Sequence, residues 1–176
     1  MNKTIFVAAL IAASTNLASA ETIQVGDISI MNAVARATPV NAPVSAGYMT
    51  IKNNGSSADR LIAVESDFSE RSEIHEMAMD GDVMKMRELE GGSELPAGER
   101  GVLVPGGLHL MFMGLNEQLL EGETRDVTIT FENAGSVDLT LDVQGLAAIR
   151  ENMADHMQMN GQSSHEHGHG DSHMSQ

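Results

Sequence analysis

Between Ile74 and Met86 the chain reads IHEMAMDGDVMKM, one His and four Met in thirteen residues around an Asp-Gly pair. A second group, His109, Met111 and Met113, follows the turn residues Pro105, Gly106 and Gly107. The whole sequence has 13 Met and no Cys, so its sulfur is thioether only. Asp-Gly between alternating apolar residues is a strong signal for a two-residue hairpin turn. With Asp80 and Gly81 as that turn, Met79 faces Asp82, Met77 faces Met84 and His75 faces Met86. Glu76 then pairs with Lys85 and Ala78 with Val83 on the other side. Directly opposed residues share a face of the sheet, so His75, Met77, Met84 and Met86 fall together. In the second group the spacing of two puts His109, Met111 and Met113 on one face of a strand and turns Leu110 and Phe112 toward a core. If the two faces meet, His75, Met86, His109 and Met111 surround a point.

Two imidazoles and two thioethers form a soft, uncharged donor set, which selects Cu(I) over Zn, Mg or Ca. Blue-copper electron transfer requires a Cys thiolate, which is absent. A catalytic zinc site takes three His or carboxylate ligands and keeps an open position. No G-x-S-x-G or comparable hydrolase signature occurs. Methionine also fills gaps in cores, and a single His is usually structural. Strand cores favour Val, Ile and aromatic residues, however, and here Met shares a face with His twice.

The elements that must hold these residues read as β-structure. Period-two runs such as TIQVGDISI, AGYMTIKN, DVMKMREL, TRDVTITFEN and SVDLTLDV alternate with turn residues up to Gly145. Eight or so short strands of this kind predict an antiparallel sandwich or small Greek-key barrel. Residues 115–123, LNEQLLEGE, are expected to form one short helical turn. The domain is expected over 21–146. After it, 147–176 reads as a flexible His- and Met-rich tail with weak helical spacing at its start, and GQSSHEHGHGDSHMSQ has almost nothing to bury. Residues 1–20 combine Lys3, an apolar run of about ten residues, too short to span a bilayer, and Ala18-Ser19-Ala20, which reads as a secretory signal cut before Glu21. Without that segment the net charge moves from −15 to −16. Such a chain repels nucleic acid and anionic lipid and suits cations or a basic protein patch. With no Cys in the sequence, neither disulfides nor a thiol-linked lipid is available to it.

In order along the chain, AGYMTIKNNG, HEMAMDGDVMKM, ELPAG, PGGLHLMFMGL and EGE resemble the PCuAC family of periplasmic copper chaperones. The resemblance covers Glu21–Val143. The family pattern is His, about ten residues, Met, some twenty residues, then His-x-Met. It falls here on His75, Met86, His109 and Met111, with ten and twenty-two residues between. The resemblance implies a cupredoxin-like β-barrel and Cu(I) bound by those four side chains. It leaves Met77, Met84 and Met113 as outer or alternative donors. It implies a periplasmic protein that delivers copper toward cytochrome c oxidase, to its copper-site subunit, to a Sco-type assembly protein, or to both. A copper buffer that sequesters without delivering has the same residues. Enzymatic activity is not expected, because a saturated His/Met site leaves no substrate position. In the tail, His165, His167, His169, His173 and Met174 form a nitrogen-rich set suited to Cu(II), or else a solvated end with weak metal affinity.

Overall fold

The computed structural model describes residues 22–158. The expected leader and the His165–Met174 tail site lie outside them. The strands are β1 (Ile23–Val25), β2 (Ile28–Arg36), β3 (Val44–Asn53), β4 (Asp59–Ser66), β5 (Ser69–Asp80), β6 (Val83–Glu88), β7 (Ser93–Leu95), β8 (Arg100–Leu103), β9 (His109–Leu115), β10 (Thr124–Phe131) and β11 (Gly135–Gln144), followed by one helix, α1 (Leu146–Gln158). The excess over eight comes from β1, β7 and β8, which are three or four residues long. The sheet runs in the order β6-β5-β9-β3-β2-β11-β10-β4-β7, with β1 on β2 and β8 on β3. All pairs are antiparallel except β11 with β2, where Asp142–Gln144 lies parallel to Val34–Arg36. The result is a cupredoxin-like β-sandwich.

One face of nearly every strand enters a common core. Ile28 and Ile30, Met49 and Ile51, Leu61, Ile74, Leu110 and Phe112, Ile129 and Phe131, and Leu139 and Leu141 are all buried there. Leu110 and Phe112 point inward as their spacing predicts. Phe112 stacks edge-on against Phe68 with ring centroids 4.8 Å apart. Gly47, opposite Leu110 on β3, makes room for that ring, since a Cβ there would lie 3.0 Å from it. On β5 the last core residue is Ile74; beyond it, β5 and β6 run on as a two-stranded ribbon, tied back by Met77 N–H donating to Gly107 O at 3.2 Å, with every residue of β6 exposed.

Two expectations are corrected. The helical turn in 115–123 does not form. Its backbone is used across the fold instead: Leu119 N–H donates to Thr38 Oγ1 at 3.0 Å, and Thr38 N–H donates to Leu119 O at 2.9 Å. The boundary at 146/147 is also moved, because Leu146–Gln158 is helical. Leu, Ala and Arg in its first turns favour that state. Ile149 and Met153, four residues apart and therefore on one stripe, are buried against Val34, Ala46, Tyr48 and Val104 on the outer face of the sheet. The start of the supposed tail is thus part of the folded body. Accordingly, Ile149→Ala should lower stability by about 2–5 kcal/mol in urea unfolding; a flexible attachment at 147 would leave the midpoint unchanged.

Candidate metal centre

β5 and β9 pair with His75 directly opposite His109 and Glu73 opposite Met111. Both histidines point away from the core, on the face shared with Met111. Their ring centroids are 5.9 Å apart at an interplanar angle of 64°. His109 is only 4% exposed. Its Nδ1–H donates to Gly107 O at 2.9 Å. A carbonyl only accepts, so this bond fixes the tautomer and leaves the Nε2 lone pair free. Burial, foremost, and then the neighbouring His75 push the His109 pKa down, while the Gly107 bond opposes them. The ring is therefore neutral, as a metal ligand must be.

His75 is held in the complementary way. Its Nε2 lies 2.7 Å from Glu73 Oε2, and the other carboxylate oxygen of Glu73 takes Arg71 Nε at 2.7 Å. With Nε2–H donated to the carboxylate, the lone pair sits on Nδ1, and that atom is buried with no hydrogen-bond partner. Each imidazole thus has one nitrogen anchored and one unused. Metal-bound histidines characteristically give their second N–H to a carboxylate or a carbonyl, and here one does each. Glu73, Arg71 and the Gly107 carbonyl are contributions that the sequence reading missed. The signal for Glu73 was its spacing of two from His75, which puts it on the same strand face. Nothing in the sequence marked Gly107 O.

The thioethers are placed less symmetrically. Met111 follows His109 on its face, between Glu73 of β5 and Ala46 of β3. Met113 lies one step further, opposite Arg71, and Arg71 Nη2 contacts its sulfur at 3.5 Å. Met86 does not face His75. The hairpin register is Asp80 with Val83, Met79 with Met84, Met77 with Met86 and His75 with Glu88. The turn is Gly81-Asp82, because the positive φ of 63° falls on Gly81. A turn with Gly at its first central position needs no left-handed Asp. The opposite face then pairs Glu76 with Arg87 and Ala78 with Lys85, replacing the expected Glu76–Lys85 and Ala78–Val83 pairs. Since the shift is by two, every Met keeps its face. Met86 becomes a diagonal neighbour of His75, about 7–8 Å away and within reach of a long side chain. Met77 now adjoins His75 along β5 and opposes Met86. Among the described residues no three His, Asp or Glu gather as a metal-binding group; apart from Glu73 and Glu88, the other side chains with donor atoms beside the two histidines are thioethers.

A family model described as "Putative lipoprotein LpqE-like" matches residues 28–143, from the start of β2 into the end of β11. The chain belongs to the LpqE-like family. It is 28% identical over 109 residues to "Putative lipoprotein Lxx21020" of Leifsonia xyli subsp. xyli (strain CTCB07), an alignment covering 62% of this chain and 66% of that protein, just under two thirds of its length. Among solved structures, the copper-bound PCuAC domain from PmoF2 superposes with a TM-score of 0.61 at 25% identity, over 71% of this chain and 98% of that domain. The Cu(I) form of DR1885 from Deinococcus radiodurans superposes with a TM-score of 0.55 at 22% identity, over 74% and 85%. This LpqE-like chain therefore has the PCuAC fold.

Two measurements test the centre. Glu73→Ala frees the His75 ring and should weaken metal binding about 10–100-fold in competition with a chelator, while Glu65→Ala leaves it unchanged. The depressed His109 pKa adds an acid-side instability to the metal-free protein. As pH falls below about 6.5, the unfolded chain takes up a proton that folded His109 resists, so stability declines. Thermal melts from pH 8 to 5 should fall less steeply for His109→Gln than for the unaltered protein.

Proposed function

We propose that this protein is an exported copper carrier that binds Cu(I) through His75, His109, Met111 and Met86, with Met77 as the alternative to Met86. The observation that carries the reading is the histidine pair. Each ring has one nitrogen anchored, His75 by Glu73 and His109 by Gly107, and the remaining lone pairs stand on a face whose other donors, apart from the Glu73 carboxylate already engaged by His75 and Arg71 and the exposed Glu88, are thioethers. Uncharged soft ligands suit a monovalent d¹⁰ ion. The copper carried by the PmoF2 domain and by DR1885 supports the same cargo. Export is supported by the leader-like residues 1–20 and by the lipoprotein description of the family.

Delivery is the second part of the proposal. Imidazole and thioether exchange readily, and the ligands on β6 lie on an exposed ribbon, so the ion can pass to an acceptor without unfolding the carrier. The receiving site is the copper centre of cytochrome c oxidase, reached directly or through a Sco-type assembly protein. The His-rich tail adds a Cu(II)-binding segment, and the protein itself performs no catalysis.

Anaerobic titration against a Cu(I) chelator tests the binding site. His109→Ala combined with Met111→Ala should abolish tight binding of one ion by the domain, while Met49→Leu, in the core, leaves it intact; equal affinities would overturn the ligand assignment. A deletion strain should lose oxidase activity at low copper. Copper sensitivity with normal oxidase activity would instead identify a sequestering protein.

A further inference from the structure

The β5–β6 ribbon carries more thioether than a single four-ligand site uses. Met77 opposes Met86 and Met79 opposes Met84, so two Met–Met pairs stack in successive rows on one face. Met79 is 62% exposed, Met84 52% and Met86 49%. These are not core residues, and the reading of strand Met as packing filler does not apply to them. The reverse face of the ribbon is ordinary solvated surface, with Arg87 paired to Glu76 and Lys85 to Asp80. That side also carries Ala78 and exposed Val83, whereas every exposed Met of the ribbon lies on the other side, which has Glu88 at its far end opposite His75. Exposed apolar groups gathered in one place mark a contact or ligand surface.

The two rows are ordered with respect to the histidines. Met77 follows His75 by two residues and Met79 follows Met77 by two, and each such step along a strand is about 6.6 Å. Exposure falls from the Met79/Met84 row at the tip to His109 at the buried end. Methionine has three rotatable side-chain bonds, so its sulfur can move toward either neighbouring row. We infer that the Met79/Met84 pair is a second, outer soft-metal site, where a monovalent d¹⁰ ion is first captured before it passes through the Met77/Met86 row to the histidine pair. This rests on the assignment of the histidine pair as the inner Cu(I) site.

Each transfer is ligand exchange: a metal–sulfur bond to Met79 or Met84 breaks as one to Met77 or Met86 forms. No electron or proton moves. Thioethers do not titrate, so capture at the tip is independent of pH, whereas retention at the histidines is not. Two thioethers bind more weakly than two imidazoles with two thioethers, which sets the direction of travel inward.

The experiment is a titration of the full chain, labelled with ¹³C in the methionine methyl groups, with Ag(I), a redox-inert soft ion. The first equivalent should shift Met111 and Met86, and further Ag(I) should shift Met79 and Met84 together. In Met79→Leu/Met84→Leu, which keeps apolar side chains at exposed positions, the first response should persist. Uptake of Cu(I) from a chelator complex should slow in that variant, with the equilibrium affinity for the first ion unchanged. Met79 and Met84 methyls unmoved through three equivalents, or uptake by the double variant at the original rate, would overturn the outer site and leave the ribbon face as a protein contact surface. Failure of the inner assignment reads differently: Met111 would not respond to the first equivalent, whatever Met79 and Met84 do.

Discussion

The antiparallel pairing of β5 with β9 is the constraint on which the site depends. It sets His75 opposite His109 and Glu73 opposite Met111, and both strands are locked in that register by what lies beneath. Ile74, Leu110 and Phe112 are buried in the core. A slip of β5 by one residue would turn Ile74 to solvent and His75 inward, and a slip of β9 would do the same to Leu110, Phe112 and His109. The hydrophobic core therefore specifies which side of the sheet carries the two histidines and Met111.

That arrangement uses charge economically. Arg71 offsets Glu73, Glu73 orients His75, and a backbone carbonyl orients His109. The donors left over are neutral. Uncharged donors in a largely buried place suit a monovalent ion, since a divalent one would bring twice the charge there with nothing to offset it. Burial of His109 acts in the same direction by resisting the proton that competes for its ring.

The ribbon and helix solve a different problem. A ligand set buried throughout would hold its ion but exchange it slowly. Here β9 is central and covered, while β6 is an edge strand exposed along its length. Of the proposed ligands, His109 therefore lies under cover and Met86 at the surface, a division that fits the proposed transfer. Met153 of α1 is buried in the same cluster as Ala46, the β3 neighbour of Met111.

The sequence by itself determined which side chains share a face. Period-two spacing is a property of any strand, so His75 with Met77 and His109 with Met111 needed no fold to be placed together, nor did the inward turn of Leu110 and Phe112. The absence of Cys and abundance of Met determined the chemical softness of the donors. What only the tertiary structure decided was who faces whom. The turn at Gly81-Asp82 moved Met86 from opposite His75 to its diagonal, because a single glycine takes a positive φ more readily than an aspartate does. The fate of the imidazole nitrogens was equally illegible. Glu73 binds His75 only when both are turned outward and shielded, and Gly107 O meets His109 only because the loop folds back before β9. Likewise Ile149 and Met153 look like tail residues until the outer sheet face they cover exists. Spacing along one strand is local, whereas register, tautomer and burial are relations between segments far apart in the chain, and only packing creates them.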